Sequence, residues 1–254
     1  MCSEHKVNQI IDGNFARPDF GRQARKGIPE VILADRKLTE DALEIARNFM
    51  EKTGRALLSR VPAELEQRLI AEWDIDGVEI TWYRGARAMV IRNAEGVVTH
   101  DGGKVGILTA GTSDVPVAEE AAMLLREMGC EVHTVFDVGV AGLHRLFQPL
   151  EELMGRHDVD ALIVAAGMDG ALPSVVSGLV DIPVIGLPTS VGYGLGGKGE
   201  SALLSMLQTC SPGLAVVNID NGIGAAAMAG LIALRAATAR RNFAHPDAEG
   251  AANE

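Results

Sequence analysis

From residue 104 onward, short apolar runs alternate with longer amphipathic stretches. "KVGILTAG", "EVHTVFDV", "DALIVAAG", "VDIPVIGLP" and "LAVVNI" show no polar alternation, the pattern of strands covered on both faces. Between them "GTSDVPVAEEAAMLLREMG", "GLHRLFQPLEELMG", "ALPSVVSGLV" and "GESALLSMLQT" carry helical spacing, and "GIGAAAMAGLIALRAATAR" closes the series. Strands separated by helices, joined by right-handed crossovers, predict an α/β fold with a doubly wound parallel sheet. The tail "NFAHPDAEGAANE", from about residue 242, is expected to fray.

The first hundred residues follow another rhythm. "PEVILA" reads as a strand and "TEDALEIARNFMEKTG" as a helix, with Thr39 at its N-cap and Gly54 as its stop. "RALLSR", "GVEITWY" and "ARAMVIR" read as strands around a helix that begins at Pro62. This predicts a small α/β or α+β N-terminal domain. The boundary falls in the Gly102–Gly103 turn, giving domains 1–101 and 102–254.

Composition narrows the classes. With 47% hydrophobic residues and 29 glycines among 254, the chain is globular rather than disordered. A net charge of −11 argues against non-specific nucleic-acid binding. Cys2, Cys130 and Cys210 show no CxxC spacing, so neither a disulfide framework nor a zinc knuckle is expected. The polar first residues are unlike a signal peptide, and no uninterrupted apolar run reaches the length of a membrane span; a cytoplasmic protein without a membrane partner is expected. One local exception to the acidity is the stretch 22–37, where Arg22, Arg25, Lys26, Arg36 and Lys37 outnumber Glu30 and Asp35. It is either a solvated basic loop or a surface that faces a small anionic ligand.

In a doubly wound sheet, ligands bind beyond the carboxyl ends of the strands. The segments expected there are "AGTSD" (110–114), "DVGVAGLHR" (137–145), "AAGMDGALP" (165–173), "GLPTSVGYG" (186–194) and "NIDNG" (218–222). Thr112 and Ser113 offer hydroxyls to an anion ahead of a helix, although Ser113 and Asp114 also suit a plain N-cap. Asp169 lies between Gly167–Met168 and Gly170 and is either a turn residue or a general base. His144 and Arg145 are either a helix-surface pair or hold a substrate carboxylate. Cys210 follows a helix, where the dipole disfavours a thiolate; a reactive role needs a cation such as Lys198 or the substrate itself. Cys130, in a helix-to-strand turn, reads as structural.

Residues 104 to about 235 resemble a PurE-type domain of aminoimidazole ribonucleotide carboxylases and mutases, through "GTSD", "AAGMDGALPSVVSGLVDIPVIGLP" and "SALLSMLQTCSPGLAVVNIDNGIGAAAMA". Three departures stand out: the added N-terminal domain, "GVAGLHRL" in place of a Ser-Ala-His-Arg-Thr-Pro loop, and the cysteine before the last strand. Together with "RQARKGIPEVILADRK", "PTSVGYG" and "TCSPG", they make nearly the whole chain similar to the LarB family, pyridinium-3,5-biscarboxylic acid mononucleotide synthases of nickel-pincer cofactor assembly. The implied fold is a flavodoxin-like sandwich in a homo-octamer.

The resemblance implies carboxylation of nicotinic acid adenine dinucleotide at ring carbon 5 by CO2, then phosphoanhydride hydrolysis with release of AMP. Mg²⁺ on the pyrophosphate is implied, and no organic cofactor. Cys210 matches the nucleophile that adds to carbon 4, and Asp169 the base that removes the carbon-5 proton; the family pattern "AGMEGALP" has Glu where this chain has Asp. Substrate contacts are expected from Arg22, Arg25, Lys26, Thr112, Ser113, Asp114, Asp137, His144, Arg145, Gly167, Met168, Gly170, Asn218, Asp220, Asn221 and Gly222, the last opening a helix toward a phosphate. Two alternatives stay open: an aminoimidazole ribonucleotide carboxylase or mutase, and a non-catalytic nucleotide-binding module.

Overall fold

The computed structural model describes residues 16–244, which leaves Cys2 and the tail beyond Ala244 outside the described residues. The chain divides after Val98 into two compact units, a few residues ahead of the Gly102–Gly103 turn.

The first unit carries a four-stranded mixed sheet. Its strands are β1 (Ile32–Leu33), β2 (Arg55–Ser59), β3 (Glu79–Tyr83) and β4 (Ala88–Arg92), in the order β1-β2-β4-β3. β1 runs parallel to β2, and the other pairs are antiparallel. A short helix α1 (Arg22–Lys26) precedes them, and α2 (Thr39–Thr53) and α3 (Ala63–Trp73) lie among them. α2 buries Ala42, Leu43, Ile45, Ala46, Phe49 and Met50, one continuous stripe at helical spacing. That stripe meets Leu58, Leu65, Leu69, Trp73, Met89 and Ile91 in one core. Gly54 ends α2 at φ 71°, its N–H bonded to the Met50 carbonyl, as an αL stop requires. The expected Thr39 cap is corrected: Leu38 occupies the N-cap, and no side chain caps the helix.

The second unit is the predicted parallel sheet. Its strands are β5 (Lys104–Thr109), β6 (Glu131–Val135), β7 (Ala161–Ala166), β8 (Val184–Pro188) and β9 (Leu214–Val216), in the order β6-β5-β7-β8-β9. Every pairing is parallel. The helices are α4 (Val115–Glu127), α5 (His144–Glu151), α6 (Ala171–Ser177), α7 (Glu200–Leu207) and α8 (Gly222–Ala244), with a π-helical turn at Glu152–Arg156 continuing α5. Leu146, Leu150 and Leu153 join Leu172, Val176, Ala202 and Met206 on one face of the sheet.

α4 and α8 pack on each other and on β5 and β7. The alanine stripe of α8 (Ala225, Ala229, Ala233, Ala237) is buried within this unit. Its small residues are therefore occupied inside the chain. By length and mean hydropathy α8 is long enough to cross a membrane, although Arg235 interrupts its apolar run, and the buried stripe accounts for its composition. The helix also runs through Asn242 and Phe243, where fraying was expected.

Candidate functional site

Strand order reverses between β5 and β7, and the loops after all five strands gather at the carboxyl end around that switch point. Two loops are locked together at depth. Asp114 is buried at 3% exposure. It accepts a hydrogen bond from Thr189 Oγ1 at 2.6 Å and another from the Gly111 N–H at 2.9 Å. The Gly167 N–H bonds to the same carboxylate. Burial pushes its pKa up from 3.8, and the three donors pull the other way. An isolated buried carboxylate costs several kcal/mol, whereas each bond to a charged acceptor returns about 1.5–3 kcal/mol, so the three donors are what make the ion tolerable.

Asp114 thus ties the β5 loop to the end of β8 across β7, and it makes no forward cap on α4. Thr189 was not singled out from sequence; its only signal is a hydroxyl directly after an apolar strand. Thr112 and Ser113, beside Asp114, remain exposed at the mouth.

The neighbouring loops are shaped by non-glycine residues with positive φ: Asp137 (62°), Met168 (52°), Lys198 (64°) and Asp220 (54°). Such backbone costs about 1–2 kcal/mol per residue. Asp137 receives the Arg145 guanidinium at 2.6 Å, so Arg145 faces its own chain's carboxylate; His144 is exposed. The Met168 N–H donates to the Val191 carbonyl at 2.8 Å. Gly167 and Gly170 permit close approach: a Cβ would lie 2.1 Å from the Val191 oxygen at the first and 2.6 Å from the Ala202 oxygen at the second. Asp169, between Met168 and Gly170, is exposed, its Oδ1 only loosely engaged by the Ala171 N–H at 3.4 Å.

Much of "NIDNG" serves the fold. Asn218 Oδ1 accepts from the Ile219 N–H, and Asp220 Oδ1 from the Ser190 N–H at 2.8 Å. Asn221 caps α8 through the Gly224 N–H at 2.8 Å. Gly222 is buried, and a Cβ there would meet the Val117 oxygen at 2.6 Å. Gly222 does open α8, and its missing side chain lets the helix close on α4.

Cys210 stands elsewhere. It precedes β9, and the Gly213 carbonyl that follows accepts from the Val184 N–H at the first residue of β8. In a parallel sheet this is the amino end, opposite the loop that carries Asp169. The thiol is exposed beside an open hollow of about 710 Å³ with Ser174, Val175, Leu179, Gln208 and Thr209. Ser174 and Ser211 are linked there by a hydroxyl–carbonyl bond of 2.8 Å. Asp169 stands just before α6 and Cys210 beside its later turns, so the two groups lie at opposite ends of that short helix, which is about 10 Å long. Lys198, expected as a counter-charge, sits at the far end of α7, roughly 12 Å of helix from the thiol. Cys130 is buried, its thiol pushed up to about 12 by burial and by Asp160 and Asp101.

In the first unit, Arg25 forms a two-bond pair with Asp19, which lies just before the basic stretch. Asp19 is held below the usual carboxylate range, first by Arg25. Arg22 lines a hollow of about 340 Å³ with Arg17, Glu30 and Lys37, while Lys26 is exposed. Arg17 was missed because the basic count began at residue 22.

Residues 104–246 match the family model described as AIR carboxylase, and residues 10–93 the one described as LarB/PurE-like N-terminal domain. An uncharacterised protein of Methanocaldococcus jannaschii is 48% identical over 216 residues, covering 85% of this chain and 82% of that protein. N5-carboxyaminoimidazole ribonucleotide mutase of the same organism is 38% identical over 125 residues, 48% of this chain and 74% of the mutase. The mutase of Pyrococcus abyssi is 34% identical over 52% of this chain and 71% of its own. The solved Treponema denticola PurE matches 59% of this chain and 99% of its own at 20% identity and a TM-score of 0.42.

Proposed function

Since the chain belongs to the LarB family, whose members join a LarB/PurE-like N-terminal domain to an AIR carboxylase domain, we propose that it carboxylates the pyridinium ring of nicotinic acid adenine dinucleotide. At the coarser level it is an enzyme of the carboxylase and mutase type. The observation that carries the finer reading is the pairing of both domains in one chain, with an exposed thiol at position 210; the mutases match only about half of it.

The chemistry needs two groups. A pyridinium carbon 5 is too electron-poor to attack CO2. Addition of the Cys210 thiolate at carbon 4 turns the ring into an enamine-like dihydropyridine, and carbon 5 then forms the new C–C bond. Asp169 takes the carbon-5 proton, whose bonding pair re-forms the ring double bond, and the C–S bond then breaks with its pair leaving on sulfur, which restores the aromatic cation. The cationic ring itself stabilises the approaching thiolate, which lets Cys210 act without Lys198. Water then cleaves the phosphoanhydride, releasing AMP. Thr112, Ser113 and Asp220 at the mouth are oxygen donors that would help to hold Mg²⁺, which would supply charge neutralisation at the pyrophosphate.

The placement of Cys210 and Asp169 at opposite ends of one sheet supports a site built from two copies of the chain. Asp169 of one copy works with Cys210 of the partner subunit. The homo-octamer expected from the family is one assembly that can supply that encounter.

The test is mass spectrometry after incubation with nicotinic acid adenine dinucleotide, ¹³C-bicarbonate and Mg²⁺. Labelled dicarboxylated pyridinium mononucleotide plus AMP from the native chain, and neither from Cys210→Ala, is the expected result. Unchanged dinucleotide in both samples sinks the reading. The second reading, a carboxyl transfer on aminoimidazole ribonucleotide, is favoured by the coherence of the carboxyl-end loops without the thiol. It predicts turnover of that substrate unaffected by Cys210→Ala.

A further inference from the structure

We propose that Glu131, His133 and His157 bind one divalent transition-metal ion of the zinc type, at a site separate from the loops just described. Glu131 and His133 stand two apart on β6, so their side chains leave the same face of an edge strand. His157 follows the π-helical turn Glu152–Arg156, and its N–H bonds to the Glu152 carbonyl at 3.0 Å. The wider turn matters: one residue more or fewer rotates a helical position by roughly 100°, and here the count carries the imidazole onto β6.

One ligand atom from each residue lies within 4.8 Å of the other two. The two imidazole rings have centroids 3.8 Å apart, tilted by 35°. His133 Nε2 is buried and 2.8 Å from Glu131 Oε1, yet no partner meets it at hydrogen-bonding geometry. A buried nitrogen lone pair without an aligned donor, facing a carboxylate and a second imidazole, is what a bound cation would satisfy. Lys104, on the neighbouring strand β5, is drawn to Asp158 at 3.9 Å.

The donor set selects the ion. Two imidazoles and one carboxylate suit zinc and its neighbours and are too nitrogen-rich for Mg²⁺ or Ca²⁺. Three protein ligands leave one position for water. Three strands lie between β6 and β9, about 19 Å across four interstrand spacings, so this ion does not serve Cys210 of the same chain. Its effect would be to fasten the start of the edge strand to the end of α5.

The full chain, stripped with chelator and titrated with Zn²⁺, should retain about one ion per chain by elemental analysis after gel filtration. Its thermal midpoint should rise on loading, and Co²⁺ should give visible ligand-field bands. His157→Ala and the exposed Glu131→Gln should each weaken binding roughly tenfold or more and lose the thermal response, whereas His100→Ala should retain both. Equal uptake by the native chain and His157→Ala, or no Zn²⁺ bound by the native chain, overturns the site.

Discussion

At the carboxyl end of the parallel sheet, loops are fastened to one another by Asp114 to Thr189 and Asp220 to Ser190, and Arg145 to Asp137 closes the connection between β6 and α5 on itself. At the amino end, Cys210 stands exposed on the rim of an open hollow. One end is a set of tied loops without a thiol, and the other holds the proposed nucleophile without such loops around it. Two half-sites at opposite ends of one sheet make sense when copies of the chain meet head to foot. Neither half would be expected to work in isolation.

The largest expected effect breaks that division directly. Cys210→Ala and Asp169→Asn should each lower carboxylation by about 10³-fold or more, the combined scale of losing a nucleophile or a general base. Co-expressed in one assembly under two tags, the two inactive chains should recover activity, since a site can then draw its thiol from one copy and its carboxylate from another. If the mixed assembly stays dead while the native chain is active, the two groups come from one copy and the division is wrong.

Next comes thiol accessibility. In a Cys2→Ser background, Cys210 should react with an aromatic disulfide at least about a hundredfold faster than Cys130, whose thiol is buried and pushed up to about 12. Comparable labelling of both in the folded protein would contradict the burial of Cys130.

The tied loops are tested by stability. Asp114→Ala leaves the Thr189 hydroxyl and the Gly111 and Gly167 N–H groups without their buried acceptor, and should cost about 2–4 kcal/mol by urea unfolding. Thr189→Val keeps the shape and removes one donor, so about 1–2 kcal/mol is expected. Equal losses from both would show that the backbone donors contribute nothing.

The smallest effect is in pH. Burial raises the folded pKa of Asp114 above its unfolded value, so its protonated form is favoured by folding. That contribution is fully present below pH about 4 and is lost as pH rises through the folded value. The deficit of Asp114→Asn should therefore be larger in acid than at neutrality. A deficit that grows with pH would mean the three donors outweigh burial.

The parallel sheet was legible because both its faces are covered, and unbroken runs such as "ALIVAA" have no other economical reading. The residues gathered at the strand ends were legible for the same reason: topology places them. Their partners were not. Nothing local in "NIDNG" distinguishes Asn221 capping α8 from Asn221 facing a ligand, and Gly222 differs from a phosphate-loop glycine only by the presence of Val117 a hundred residues earlier. The separation of Cys210 from Asp169 was legible in principle. One precedes its strand and the other follows, and in parallel strands that alone puts them at opposite ends.

The left-handed backbone at Asp137, Met168, Lys198 and Asp220 bears on how this protein can be improved. A library screened for heat resistance alone has its readiest gains where an L-residue sits at positive φ, each change returning about 1 kcal/mol. Four of the seven such positions among the described residues stand in the loops of the proposed catalytic mouth. A thermostable descendant obtained without an activity screen would therefore be expected to arrive with those loops reshaped, its stability and its inactivity produced by the same substitutions.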